Sequence, residues 1–274
     1  MTRVAAFDCG TNSLRLLIAD VQDGTLTDVV RDMEVVRLGQ GVDETGRFDP
    51  AALERTLDVT RRYAALAEEH GAERVRFVAT SATRDAANRG EFVDAVEAIL
   101  GTPPEVIPGT EEAALSFRGA VSVLDAAQPR PVLVVDLGGG STELVLGDDE
   151  PDAAYSMDIG CVRLTERHLR SDPPTEDEIE AARADIRAAL AVAGRTVNLA
   201  ATRAVVGVAG TITTVTAHAL RLPAYDPERI SGTELPLAEA LAACDALLRL
   251  PRAERAALPF MHPCLLYTSD AADE

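Results

Sequence analysis

Residues 132–147 read VLVVDLGGGSTELVLG, and this stretch decides the fold. Two apolar runs surround a short turn of three consecutive glycines and a serine, a pattern that predicts a β-hairpin. Consecutive glycines let backbone N–H groups converge on an oxyanion because no Cβ stands in the way. The residues Gly138, Gly139, Gly140 and Ser141 are therefore a candidate phosphate site. A tight hairpin turn that binds no ligand is the alternative.

Two carboxylates flank the glycine turn on the two predicted strands. Asp136 ends the first apolar run and Glu143 begins the second, so both side chains are expected to point towards one cleft. Magnesium in proteins uses one or two carboxylates together with water and substrate phosphates. The pair is a candidate Mg²⁺ site, and solvated surface charge is the alternative.

The start of the chain contains a second copy of this hairpin. Apolar residues 4–7 and 14–19 surround a turn at residues 8–12, and an offset of 128 residues superposes four positions of the two hairpins. The superposed pairs are Asp8 with Asp136, Gly10 with Gly138, Ser13 with Ser141 and Leu16 with Leu144. Two lobes built on the same hairpin explain the repeat. Asn12 and Ser13 then become candidate phosphate ligands, although ordinary turn residues are the alternative.

Helical and strand patterns alternate along both halves, which predicts an α/β fold. The first half contains predicted helices at residues 50–70, 92–100 and 111–123 and predicted strands at 75–80 and 105–107. The second half contains a strand at residues 204–208 and three helices. The first begins at a Thr175–Glu178 capping box, the second follows the turn at residues 207–211, and Leu237, Leu241 and Leu248 mark the last. The polar, proline-flanked stretch 125–131 predicts a boundary between lobes at residues 1–124 and 125–263.

Three further positions carry groups suited to phosphate chemistry. Arg84 directly follows a predicted strand, and its planar guanidinium matches phosphate oxygens. Glu112 lies in the first turn of a predicted helix, where it could accept a proton from water. Gly210 and Thr211 open another helix after a strand, and helix N-termini attract anions. The alternatives are a surface arginine, a glutamate that complements the helix dipole and close packing of a helix on a sheet.

Composition excludes several classes of function. The 274-residue chain has a formal charge of −19, which argues against nucleic-acid binding because such surfaces need clustered cations. It contains no lysine, so neither a P-loop lysine nor a Schiff-base lysine is present. The four dispersed cysteines fit neither a disulfide framework nor a zinc site. The absence of a long apolar run or a secretory signal pattern predicts a cytoplasmic protein without a membrane span.

Taken together, six motifs resemble one family. They are DCGTNSLRLLI, ATSATRDAAN, PGTEEAALSFRGA, VVDLGGGSTELVLG, SMDIGCVRLTERH and GVAGTITT, and they occur in the order and spacing of the exopolyphosphatase and guanosine-pentaphosphate phosphohydrolase (Ppx/GppA) family. The resemblance implies two ribonuclease-H-like lobes of the actin, sugar kinase and chaperone ATPase superfamily with a phosphate cleft between them. It also implies a homodimer.

The resemblance assigns a role to each candidate residue. Glu112 would be the general base for the attacking water, with Glu111 as its nearest rival, and Arg84 a phosphate clamp. Asp136 and Glu143 would hold Mg²⁺. The phosphate path would be lined by Asn12, Ser13, Gly138, Gly139, Gly140 and Ser141, with Gly210 and Thr211 in a further turn of the family pattern.

The expected activity is hydrolysis of the terminal phosphoanhydride of inorganic polyphosphate by water. Hydrolysis of guanosine pentaphosphate uses the same groups and is the first alternative. A non-catalytic polyphosphate or alarmone sensor is the second, although it would not need Glu112, Asp136 and Glu143. A kinase of the wider superfamily would not be expected to carry the glutamate of the TEEA segment.

The sequence departs from the family pattern after His262-Pro263. Residues 264–274 read CLLYTSDAADE, where the family continues with a glycine-started segment, a helix and a closing strand. We therefore expect a foreign or artefactual tail and an incomplete second lobe. The extra C-terminal helical domains of long family members are also missing, so their processivity on long polymers is not expected.

Overall fold

The computed structural model describes residues 1–125 and 127–261. The chain divides into two compact units, of which the first is Met1–Pro108 and the second begins at Gly109. Each unit is built on one β-sheet with helices packed against it. The α/β class predicted from the sequence is therefore confirmed. The predicted tail and the last two residues of the predicted second lobe lie outside the described residues.

The described part of the chain contains nine strands. In chain order they are β1 (Thr2–Cys9), β2 (Ser13–Gln22), β3 (Thr25–Val35), β4 (Arg74–Ala79), β5 (Glu105–Val106), β6 (Val132–Leu137), β7 (Thr142–Gly147), β8 (Pro151–Met157) and β9 (Ala204–Val208).

The helices of the same residues pack against these strands or connect them. They are α1 (Val42–Thr45), α2 (Pro50–Glu69), α3 (Ser81–Asp85), α4 (Arg89–Leu100), α5 (Gly109–Val121), α6 (Cys161–His168), α7 (Glu176–Ala193), α8 (Gly210–Ala219), α9 (Pro227–Ile230), α10 (Leu237–Arg249) and α11 (Arg252–Ala256). None of them is long and apolar enough to cross a membrane.

The two sheets share one topology. The first has the order β3-β2-β1-β4-β5 and the second β8-β7-β6-β9, each with two antiparallel pairs followed by parallel pairing. In β1–β2, Asp8 lies opposite Arg15, and in β6–β7, Asp136 lies opposite Glu143. These pairs are related by the 128-residue offset, so the internal repeat predicted from the sequence is confirmed. No counterpart of β5 occurs among the described residues of the second unit.

Local sequence signals set the ends of the long helices. The Asp49 side chain accepts hydrogen bonds from the amides of Ala51 and Ala52, and Pro50 occupies the first turn of α2, where no donor is lost. Thr175 and Glu178 form the predicted capping box at the start of α7. These caps satisfy amides that a helix leaves without partners.

The first unit buries an aromatic core between its sheet and its helices. Phe7 of β1 stacks on Phe77 of β4 with ring centroids 5.4 Å apart, and Phe92 of α4 meets Phe77 edge-on. Tyr63 of α2 also belongs to the cluster, with its ring centroid 6.5 Å from that of Phe7. Alternate residues of β1 and β2 reach this core because side chains alternate between the faces of a sheet.

The second sheet is covered on both faces, which explains its continuous apolar runs. On one face, Leu133 and Leu144 pack near Ala193 at the end of α7. On the other, Val134 and Val145 pack against Phe117 of α5. The strands of the glycine hairpin therefore form the middle layer of a three-layer unit.

The units divide at a different place from the predicted lobe boundary. Helix α5 packs on the second sheet through Ala113 and Phe117, so it belongs to the second unit and the division falls before Gly109. The polar stretch that indicated a boundary after residue 124 connects α5 to β6 within that unit. The predicted boundary between lobes at residues 124 and 125 stays a prediction.

Candidate active site

The two predicted metal-side carboxylates face each other on the β6–β7 hairpin. Asp136 and Glu143 are directly paired across the strands, and side chains of such a pair project from the same face. Ser156 of β8 is in turn paired with Glu143. The sheet thus presents a row of three oxygen-bearing side chains beside the glycine turn.

Hydroxyl groups hold both carboxylates in place. Ser116 of α5 donates a hydrogen bond of 2.6 Å to Oδ2 of Asp136, and Ser156 donates one of 2.7 Å to Oε1 of Glu143. The Ser141 hydroxyl also bonds to Glu143. Each acid therefore presents its remaining oxygen positions in a fixed direction.

Negative charge is crowded around Glu143. This side chain is only 1% exposed, and its burial, followed by the charge of Glu112, raises the pKa of Glu143 to about 8. The hydroxyls of Ser156 and Ser141 lower it again, and the charge of Asp136 adds to the increase. Glu112, Asp136 and Glu143, which the sequence predicts as one site, are thus within electrostatic reach of each other.

Helix α5 explains how Glu112 reaches this position. Glu112 and Ser116 are four residues apart, so they lie one above the other on the same helix face. Since Ser116 contacts Asp136, that face is turned towards the end of β6. Ala113 and Phe117 occupy the neighbouring face and anchor the helix on the sheet.

The glycine turn rests on the first turn of α6. The carbonyl of Gly138 accepts from the amide of Cys161, and the carbonyl of Gly139 accepts from the amides of Val162 and Arg163. The carbonyl of Gly140 accepts from Nε of Arg163 at 2.8 Å.

The direction of these carbonyls fixes the direction of the turn's amides. In a trans peptide, C=O and the following N–H point in opposite directions. The N–H groups of Gly139, Gly140 and Ser141 therefore point away from α6. Successive N–H groups on one side of a turn can form the type of nest that binds anions.

Gly160 makes this close approach possible. A Cβ at this position would lie 2.3 Å from the carbonyl oxygen of Gly139 and 2.8 Å from that of Gly138, so any side chain would push the turn away. The turn and α6 consequently behave as one packed piece.

Gly210 and Thr211 lie at the same edge of the second sheet. They begin α8 directly after β9, whose Val208 pairs with Asp136 in parallel register. A hydrogen bond between Thr211 and the Cys161 thiol ties the starts of α8 and α6 together. The preceding Ala209 has φ of 75° and ψ of 176°, a conformation that L-residues rarely adopt.

The first unit places Asn12 and Ser13 in an equivalent turn. The amide of Gly10 donates to the carbonyl of Ser13 at 3.0 Å. In the second unit, the amide of Gly138 donates to the carbonyl of Ser141 at the same distance. The carbonyl of Asn12 accepts from the amides of Val36 and Arg37. By the same argument as above, the N–H of Ser13 points away from this supporting loop.

Arg84 lies at the same edge of the first sheet as that turn. A hydrogen bond of 2.8 Å between the hydroxyls of Thr11 and Ser81 joins the turn to α3, the short helix that carries Arg84. One guanidinium nitrogen of Arg84 donates to the carbonyl of Ile107 at 2.9 Å. This contact orients the guanidinium, whose planar shape matches phosphate oxygens.

The equivalent pairs in the two hairpins differ in charge. Arg15 forms an ion pair of 3.2 Å with Asp8, and both side chains are about half exposed. The corresponding residue in the second unit is Glu143, opposite Asp136. The first pair is neutral, whereas the second consists of two acids.

The acid pair of the second unit suits magnesium. Among residues 1–125 and 127–261, no three His, Cys, Asp or Glu side chains are grouped so that they could hold a metal unaided. Magnesium does not require such a group, since water and substrate phosphates complete its coordination. Burial is the main cause of the raised pKa of Glu143, and a divalent cation would offset the repulsion from Glu112 and Asp136 that adds to it. The residues present therefore fit Mg²⁺.

Three contributors were not found from the sequence. Ser116 could have been found, because it follows Glu112 by four residues on a predicted helix. Ser156 and Arg163 lie in the SMDIGCVRLTERH motif, but β8 and α6 were not predicted as elements and neither residue was given a role. Their contacts with Glu143 and Gly140 emerge only from the fold.

Comparison with known proteins identifies a matching family model. The model of the "Ppx/GppA phosphatase family" matches residues 17–264.

Two curated relatives carry enzyme names. The chain is 55% identical to exopolyphosphatase 2 of Mycobacterium tuberculosis over 272 residues, covering 96% of this chain and 85% of that protein. It is 38% identical over 167 residues to a guanosine-5'-triphosphate,3'-diphosphate pyrophosphatase of Vibrio cholerae, covering 61% of this chain and 33% of that protein.

A solved structure agrees closely with the fold. The crystal structure of an exopolyphosphatase-like protein superposes with a TM-score of 0.95 at 50% identity, covering 98% of this chain and 84% of that one. This similarity supports the strand order and hairpin placement described above.

Proposed function

The chain belongs to the Ppx/GppA phosphatase family, and from this membership we propose that it is an exopolyphosphatase. It would hydrolyse the terminal phosphoanhydride of inorganic polyphosphate by attack of water. The observation that carries the proposal is the grouping of Glu112, Asp136 and Glu143 next to a glycine turn whose N–H groups point away from its supporting helix.

The residues would divide the work as follows. Glu112 accepts the proton of the attacking water, which contributes typically 10²- to 10⁴-fold in such reactions. The N–H groups of Gly139, Gly140 and Ser141 bind phosphate oxygens and hold the terminal group for in-line attack. Phosphoryl transfer needs little else, because its loose transition state responds mainly to positioning and charge neutralisation.

The remaining predicted residues support the same task. Magnesium, when bound by Asp136 and Glu143, supplies positive charge to the phosphate oxygens. Arg84, Asn12 and Ser13 of the first unit are assigned to phosphate binding by the family resemblance. Gly210 and Thr211 are proposed to contact the phosphate path through the N-terminus of α8.

A second candidate substrate is guanosine pentaphosphate. The 38% identical relative is named for this class of nucleotide, and the same carboxylates would serve its hydrolysis. A sensor without catalysis is less well supported, because the acid pair and Glu112 are all in place. A cytoplasmic homodimer is part of the proposal on the ground of family resemblance.

The test compares phosphate release from polyphosphate, guanosine pentaphosphate and ATP at equal free Mg²⁺. We expect polyphosphate to give the highest kcat/KM, and Glu112→Gln to lower its kcat by at least about 100-fold without unfolding the protein. Glu111→Gln is the matched control on the same helical turn and should retain activity.

Other outcomes would change the assignment. Preference for guanosine pentaphosphate would assign the second substrate. Near-normal turnover by Glu112→Gln would remove Glu112 from its role, and saturable polyphosphate binding without release by the wild type would favour a sensor.

A further inference from the structure

We infer that Arg163 is a positioning residue, which acts on the phosphate through the glycine turn. By holding the carbonyl of Gly140, it would fix the peptide plane that directs the N–H of Ser141 towards the substrate. The inference deepens the proposed function and rests on it for its kinetic consequences.

The contact geometry is specific. Nε of Arg163 lies 2.8 Å from the carbonyl oxygen of Gly140, and the backbone nitrogen of Arg163 lies 3.2 Å from the carbonyl oxygen of Gly139. One residue therefore holds two successive peptide planes. Gly140 is buried, so water cannot readily replace the hydrogen bond to its carbonyl if the Arg163 donor is removed.

The internal repeat shows why a side chain is needed here. The residue equivalent to Gly140 in the first unit is Asn12, whose carbonyl is held by two backbone amides, those of Val36 and Arg37. The supporting residues follow β3 in the first unit and β8 in the second. In the second unit, however, the donor to the carbonyl of Gly140 is the guanidinium of Arg163. Only proline would remove a backbone donor, whereas any side chain without a donor at position 163 removes this one.

Glycine has no side chain to restrict its own peptide planes. The three glycines at 138–140 could adopt many conformations, so their orientation depends on outside contacts. The amides of α6 hold Gly138 and Gly139, and Arg163 extends this support to Gly140. Removing the hydrogen bond from Arg163 to Gly140 should loosen the end of the turn nearest Ser141.

The experiment compares Arg163→Met with Arg167→Met. Both remove one guanidinium from α6, but Arg167 forms an ion pair of 3.2 Å with Asp185 of α7. Methionine keeps an unbranched stem without a donor. We expect Arg163→Met to lower kcat/KM for polyphosphate about 10- to 100-fold, as for loss of a hydrogen bond from a charged donor, while Arg167→Met stays near wild type.

Two measurements distinguish an effect of Arg163 on the position of the turn from an effect of its charge or of overall stability. Amide hydrogen exchange in peptides spanning residues 138–142 should accelerate in Arg163→Met but not in Arg167→Met. Arg163→Lys should recover only part of the activity, because lysine keeps the charge but not the planar Nε donor.

Each result has a defined meaning. Equal activity and equal exchange in Arg163→Met and Arg167→Met would overturn the inference, as would full recovery by Arg163→Lys. If wild type releases no phosphate from any substrate, the proposed function fails, but the exchange comparison still decides whether Arg163 holds the turn.

Discussion

Glu143 shows how a single residue is adapted to its site. A carboxylate that is 1% exposed is costly to ionise, yet this one receives hydrogen bonds from Ser156 and Ser141 and lies opposite Asp136. Burial and the neighbouring charge raise its pKa to about 8, from an ordinary value of 4.5. The native state therefore holds a proton that the unfolded chain would release.

The raised pKa predicts how stability depends on pH without metal. Between pH 4.5 and about 8 the native state binds more protons than the unfolded state, so the free energy of unfolding should fall as pH rises, by at most about 1.4 kcal/mol per pH unit. The contribution is complete below pH 4.5 and lost above about pH 8. Urea unfolding in EDTA at several pH values measures this slope.

The control substitutions isolate Glu143. Glu143→Gln should flatten the slope, because the amide does not titrate. Glu150→Gln, at an exposed acid whose side chain pairs with Arg118, should leave it unchanged. An identical slope in wild type and Glu143→Gln would show that Glu143 does not dominate this pH dependence.

The sequence predicts some residues of the site better than others. Facing carboxylates at 136 and 143 follow from the two-residue period of a hairpin, and the structure has this pairing. The nest around Gly139 and Gly140 depends on how α6 packs beneath the turn, which no local pattern records. Residues that act through tertiary contacts are therefore the ones that sequence analysis missed.

At the level of elements, the packing of the glycine turn on α6 limits what Gly160 can become. We predict that Gly160→Ala lowers stability by about 1–3 kcal/mol, because a Cβ would lie 2.3 Å from the carbonyl oxygen of Gly139 and backbone must shift. Activity should fall as well, because the displaced peptides no longer aim their N–H groups together. Thermal unfolding and kcat/KM measure the two effects.

A second glycine provides the comparison. A Cβ at Gly119 in α5 would meet no other described part of the protein within 4 Å, beyond its own helix. Gly119→Ala should stabilise the protein by about 0.5–1 kcal/mol, since glycine is unfavourable inside a helix. If Gly160→Ala were as stable as Gly119→Ala, the close approach of turn and α6 would be wrong.

Elements were predicted in proportion to the strength of their apolar pattern. The two hairpins, α2 and α7 were found because buried strands and capped helices leave clear signals. Strand β3 was missed because it is an edge strand whose residues are mostly exposed and polar. In α10 the helix was found but its buried side was not: Leu237 and Leu241 are exposed, whereas Ala243 and Leu247 are buried.

For the whole molecule, the net charge of −19 opposes the approach of an anionic substrate. Salt screens this repulsion, since the Debye length falls from about 30 Å at 0.01 M to about 8 Å at 0.15 M. We therefore predict that kcat/KM for polyphosphate rises at least about twofold over this range of KCl at constant free Mg²⁺. At saturating substrate, kcat should change little.

A fall in kcat/KM with added salt would contradict this expectation. It would mean that local positive groups, rather than the total charge, control the encounter with substrate. The usual behaviour of polyanion-binding proteins is of this second kind, so the sign of the salt effect is informative.

The differing charges of Asp8–Arg15 and Asp136–Glu143 bear on the ancestry of the chain. Two halves with one topology imply descent from a single duplicated segment, and identical copies would have offered identical places for an ion. Arginine at one of the mirrored positions and glutamate at the other ended that equivalence. The first pair is neutralised internally, whereas the second combines two acids, so a change of charge at one cross-strand position is enough to make only one of the two halves suited to a cation.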